Sequence, residues 1–169
     1  MSVLGIIHTV LSVPPIVFGV WGFLRDGRID PANRLGKLYL LSMVASIVTS
    51  FGLSSTGGFN PGHALGILAA LMMGAGVLAP RLDWLGNGAP YVQTLSMSAS
   101  FLVLLVPGIV ETLTRLPAGQ PLATGPQSPA IQMSLLILVV LFLAGTTYQV
   151  LRLRAGAFQA ASAAVGHKP

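Results

Sequence analysis

Five apolar runs, each close to the length of a bilayer crossing, occupy most of this chain: residues 3–24, 38–53, 62–79, 91–113 and 130–151. A helix rises 1.5 Å per residue, so about 20 residues cover the roughly 30 Å hydrocarbon layer of a membrane. Within 169 residues, five such runs leave no room for a second, soluble domain. Composition points the same way. Hydrophobic residues make up 53% and charged residues only 8%, with a mean hydropathy of +0.80, whereas a soluble domain carries about 25% charge. These features predict an all-α polytopic membrane bundle of five transmembrane helices in contact with the lipid bilayer, followed by a short tail at 155–169. They exclude a soluble enzyme.

The absence of cysteine excludes disulfides, thiolate metal sites and cysteine nucleophiles. The net charge of +5 does not signal nucleic acid, because the nine Lys and Arg lie in short loops rather than in a stripe with aromatic platforms. They read instead as topology signals. Arg25, Arg28, Arg34 and Lys37 fall in the first loop, Arg81 in the third, and Arg152, Arg154 and Lys168 in the tail, whereas Arg115 alone falls on the other side. The positive-inside rule then places the amino terminus outside and the carboxyl tail in the cytoplasm. On this topology 54–61 and 116–129 face outward. The apolar stretch from the start of the chain has neither a basic leader nor a small-residue cleavage site, and is expected to be a retained first span.

Asp30-Pro31, Asn60-Pro61 and Ser128-Pro129 each offer a capping side chain ahead of a proline suited to the first turn, and are expected to open spans two, three and five. Pro14-Pro15 and Pro107 fall inside spans one and four, where kinks are expected. The small, polar residues after Arg154 suggest partial disorder.

An internal match links the two halves. Leu41-Ser42-Met43-Val44-Ala45-Ser46 aligns with Leu95-Ser96-Met97-Ser98-Ala99-Ser100 at an offset of 54, and His8 with His63 at an offset of 55. A parallel duplication of a helix hairpin, with span five added, accounts for it. Gly62, Gly66, Ala70 and Gly74, and separately Ser42, Ser46 and Ser50, recur every fourth residue as ridges for close helix contact.

Ionisable groups are expensive in lipid, so each one within a span is a candidate functional residue. His8, His63 and Glu111 qualify, with Arg115 one turn beyond Glu111. Spans one and three run parallel on a diagonal of an up-down bundle, which sets His8 and His63 to approach a haem b from opposite faces near the outer leaflet, with Gly5 and Gly66 leaving room for the porphyrin. A zinc-like ion held by His8, His63 and Glu111 is the competing metal site. In the bland alternative, Glu111 pairs with Arg115 and the histidines satisfy local hydrogen bonds. The functional readings are therefore a haem- or metal-binding redox or assembly component, a small transporter or channel subunit with a path along Ser42, Ser46, Ser50, Ser96 and Ser100, and a structural accessory subunit associating with membrane partners or with itself. No phosphate-cradling loop, triad or paired carboxylates support a hydrolase or nucleotide-dependent activity.

The histidine early in span one, Asn33-Arg34-Leu35-Gly36-Lys37-Leu38-Tyr39 entering span two, the histidine opening span three, and Val110-Glu111-Thr112-Leu113-Thr114-Arg115-Leu116-Pro117 closing span four form an ordered set. Over roughly residues 4–117 it resembles the bacterial membrane-protein family known as domain of unknown function 2306. The resemblance implies a bacterial inner-membrane location and the same helical architecture, and singles out His8, His63, Glu111 and Arg115 without supplying an activity. The family pattern carries further histidines entering spans two and four. Here those places hold Asn33-Arg34 and Pro90-Tyr91, so only the outer pair is retained.

Overall fold

The computed structural model describes residues 3–53 and 58–166, with 157–166 by backbone alone. Five α-helices follow one another: α1 (Val3–Asp26), α2 (Arg34–Ser50), α3 (Pro61–Leu78), α4 (Ala89–Arg115) and α5 (Pro129–Gly166). Two short 3₁₀ turns, Ala79–Arg81 and Asp83–Gly88, join α3 to α4, and there is no strand among the described residues. α1 packs along α2 and α3 along α4. The two hairpins meet through α2 against α3 and, over a shorter stretch, α1 against α4, while α5 lies on α4. α1 and α3 therefore occupy one diagonal and α2 and α4 the other.

The exterior is apolar and the interior carries the polar groups. Val3, Ile6, Val10, Val13, Val17, Val20 and Leu24 form an exposed stripe down α1 at helical spacing, and α5 exposes Met133, Leu136, Ile137, Val140, Leu141 and Leu143. Ser46, Thr94, Ser98, Ser100 and Gln149 are buried. Such an arrangement is stable where the surrounding medium is lipid, because apolar side chains then cost nothing outside and polar ones find partners inside. Four helices are long and apolar enough to cross a membrane. α2, with 17 residues, is shorter, but it runs most of the length of α1, since Gly52 just beyond its end lies against Leu4. The protein is a multi-pass membrane protein.

The core is concentrated among α1 to α4, where Tyr39, Met43, Met73, Met97 and Phe101 are buried. Phe101 receives the edge of Phe23 at 5.3 Å and covers Gly19 so closely that a Cβ there would enter its ring. The loop from α1 to α2 folds over the same end through buried Ile29. Its carbonyl at Asp30 occupies the space a side chain at Gly36 would need, which is why α2 begins on a glycine-bearing turn. Trp21, Trp84 and Tyr148 stand exposed around this cation-rich end, the position aromatic side chains take at a membrane–water interface.

Several local expectations are corrected. α2 opens not at Asp30 but after Asn33, whose side-chain oxygen accepts from Gly36 N–H at 2.8 Å, while Asp30 closes a turn by accepting from Ala32 N–H at 3.0 Å. Ser128 precedes α5, yet its hydroxyl oxygen accepts from the N–H groups of Thr124 and Gly125; only Asn60-Pro61 caps as expected. The buried face of α3 is His63, Ala69, Met73 and Gly76. Gly62 and Ala70 of the proposed ridge are exposed, and Gly74 faces open space, because the close approach to α4 is made one residue pair further on, by Gly76 against Met97. Pro14-Pro15 and Pro107 lie inside α1 and α4, where the sequence places them. The backbone of α5 continues helical to Gly166 instead of ending near Leu151, as the run of alanines from Ala155 onward favours. Lys168 and most of the second loop, 54–57, lie outside the described residues.

Candidate functional site

His8 sits near the amino-terminal end of α1, half-buried against the last turns of α2. Its Nδ1 is 3.0 Å from Thr49 Oγ1. The Thr49 hydroxyl already donates to the carbonyls of Ala45 and Ser46, so at this contact Nδ1–H donates and Thr49 accepts. The remaining lone pair belongs to Nε2, 3.4 Å from Ser12 Oγ. Ser12 extends the chain, lying 2.7 Å from Ser46 Oγ while donating to the His8 carbonyl at 2.8 Å. His8, Ser12, Ser46 and Thr49 thus form one polar seam between α1 and α2.

His63 has a different role. It is the third residue of α3, buried to 6% exposure, and completes a reciprocal cap: Asn60 Oδ1 accepts from His63 N–H at 3.1 Å, and His63 Nδ1 accepts from Asn60 N–H at 3.4 Å. An accepting Nδ1 puts the ring proton on Nε2. The ring stacks on Phe51 at 5.0 Å and meets the edge of Phe59 at 5.7 Å. Asn60-Pro61-Gly62-His63 is a capping box with histidine where glutamate or glutamine is usual, a signal the local spacing already contained.

Both imidazoles therefore rest on the carboxyl end of α2, through Thr49 and Phe51, but in opposite tautomers. Glu111 pairs with Arg115 across one turn of α4 at the same end of the bundle. Among the described residues no group of three or more His, Asp or Glu stands close enough to hold a metal ion, so His8, His63 and Glu111 do not assemble into a three-ligand set. Gly66, expected to face a porphyrin, faces α2 instead, where a Cβ would meet Ser50 Oγ at 3.5 Å.

Four of the serines of the transporter reading make hydrogen bonds within the bundle. Ser46 faces Ser12 on α1, Ser100 faces Tyr39 at 2.8 Å, and Ser42 and Ser50 donate to their own helix at Leu38, Tyr39 and Ile47. Each closes a local bond, which is how hydroxyls contribute to helix packing in lipid. At the opposite end, Gln149 of α5 does similar work: its Oε1 accepts from Ser98 at 2.9 Å and its Nε2 donates to the Gly27 carbonyl at 2.9 Å. That link fastens α5 to α4 and to the first loop. As an amide inside the last turns of the fifth apolar run, Gln149 was open to detection by the cost of polar groups in lipid.

Comparison with known protein families, with curated proteins and with solved structures finds no match to this chain.

Proposed function

We propose that the protein is a structural, non-catalytic subunit of the bacterial inner membrane, oriented with its amino terminus outside, in which the histidines hold helices together. One observation carries this reading: each imidazole is engaged by its own chain, His8 by Thr49 across the α1–α2 seam and His63 by Asn60 in the cap of α3. With Nδ1 accepting from Asn60 N–H, the ring proton of His63 sits on Nε2 and the ring offers no free lone pair to a metal. Exposed Gly62 and Ala70, with open space over Gly74, leave α3 a smooth face of the kind that receives another membrane helix, consistent with a membrane partner or a second copy. The motif likeness to domain of unknown function 2306 belongs to the same proposal.

The test is a double-mutant cycle of His8→Ala and Thr49→Ala on detergent-solubilised protein. A structural seam gives a coupling energy of about 0.6 kcal/mol, the average for interhelical hydrogen bonds in lipid, and at most about 1.7 kcal/mol. Strict additivity of the two substitutions contradicts it.

A second reading has its own support, since His8 keeps a lone pair on Nε2 and both rings lie at the same end of α2. Here a haem b is held by His8 and His63, which requires the Asn60 contact to break and the His63 proton to move to Nδ1. It predicts that Asn60→Ala raises haem occupancy, whereas the structural reading predicts only a loss of helix-cap stability of about 1 kcal/mol.

A further inference from the structure

At the cation-rich end, between the first loop, α4 and α5, lies a pocket of about 270 Å³ whose walls include Arg28, Thr94, Tyr148, Gln149 and Arg152. Two features set it apart from the polar seams. The Thr94 hydroxyl is buried to 1% exposure and has no hydrogen-bond partner; a buried orphan of this kind is destabilising unless something supplies the missing bond. Arg152 has no carboxylate within ion-pair distance among the described residues. Its guanidinium instead donates to Tyr148 Oη at 2.9 Å and lies 5.8 Å from the centre of that ring. The other charges around the pocket are matched within the loop, Arg28 by Asp30 at 2.8 Å, and Asp26 by Arg25 at 2.9 Å and by Asn33 at 2.9 Å. What remains is one uncompensated cation and one unused hydroxyl.

Depth indicates what fits. Trp21, Trp84 and Tyr148 mark the headgroup level around this end, and Leu153 adds an apolar wall. A free anion has no use for that wall, whereas an amphiphile does. Basic pockets between transmembrane helices at the interface accept phosphate-bearing lipid headgroups. We infer that this pocket binds the phosphate of an anionic phospholipid, with Arg152 as its ion-pair partner and the Thr94 hydroxyl as a hydrogen-bond donor.

The experiment compares thermal stability of the full chain in phosphatidylcholine nanodiscs, in the same discs with phosphatidylglycerol added, and in phosphatidylcholine discs with inorganic phosphate. Phosphatidylglycerol should raise the melting temperature, and Arg152→Gln should weaken its half-saturating effect about fivefold, the share expected for one interfacial cation. Thr94→Val separates binding from folding. Without anionic lipid it should leave stability unchanged or higher, because it removes the orphan hydroxyl, yet it should reduce the lipid-induced shift. An equal shift with inorganic phosphate, lost in Thr94→Val, would overturn the lipid as the source of the phosphate. A phosphatidylglycerol effect of the same size in wild type, Arg152→Gln and Thr94→Val would overturn the site itself.

Discussion

The Tyr39 hydroxyl of α2 lies 2.8 Å from the Ser100 hydroxyl of α4, so a single buried bond crosses a diagonal of the bundle that the backbones do not bridge. Ser100 donates in turn to the Met97 carbonyl at 2.7 Å, leaving Tyr39 to donate to Ser100. The two ends of this bond are unequal. In Tyr39→Phe, Ser100 keeps its backbone acceptor, and the expected cost is about 0.6 kcal/mol. In Ser100→Ala the buried phenol loses its partner, and the expected cost is about 1–3 kcal/mol. Thermal or denaturant unfolding in detergent checks the order, and equal costs would remove the directional assignment.

Glycine substitutions should divide sharply by location. Gly36→Ala drives a methyl group into the Asp30 backbone carbonyl, which cannot rotate away, and is expected to destabilise by about 1–3 kcal/mol or more. Gly74 has open space around it. Gly74→Ala should be neutral or gain up to about 1 kcal/mol from helix propensity. Unfolding of the two variants side by side is the measurement.

α5 is held to the cation-rich end of the bundle by Gln149, which links Ser98 to the Gly27 carbonyl. Gln149→Leu removes both bonds from a 5% exposed position and leaves their partners unpaired. Faster hydrogen exchange is expected in the first loop around Gly27 and in the adjoining part of α5, with the α1–α2 seam near His8 unchanged. Uniform acceleration across all helices would mean that the link supports global folding instead.

The absence of cysteine makes topology simple to read. Gly125→Cys in intact cells should react with a membrane-impermeant maleimide, and Gly88→Cys should react only after permeabilisation. Both positions have open space around them. Labelling of both from one side contradicts the five-crossing topology.

The helices were legible in the sequence because lipid imposes length and apolarity on every crossing, and residues 3–24 differ from α1 by only two positions at one end. Within the two aligned segments Met43 and Met97 are both buried, as are Ser46 and Ser100, whereas Val44 is exposed where Ser98 is buried. Starts and packing faces were less legible. Asp30 and Asn33 are both good caps, and the choice of Asn33 follows from the close passage of the loop over Gly36, a tertiary contact. The buried side of α3 followed Gly76 and Met97 rather than the four-residue ridge, because beyond His63 every position of that helix is apolar or small and no periodicity marks one face. His8 and His63 were recognised as unusual, but their tautomers depend on Thr49 and Asn60. The orphan state of Thr94 is likewise visible only once α4, α5 and the first loop enclose it.

The central claim is that the two intramembrane imidazoles serve the fold. The most direct test is the reduced-minus-oxidised optical spectrum of the protein purified from its membrane with haem supply intact. The account predicts no b-type band at stoichiometric intensity, with His8→Gln and His63→Gln spectra identical to wild type. A sharp reduced band at one haem per chain, lost in His8→Ala and in His63→Ala, would contradict it.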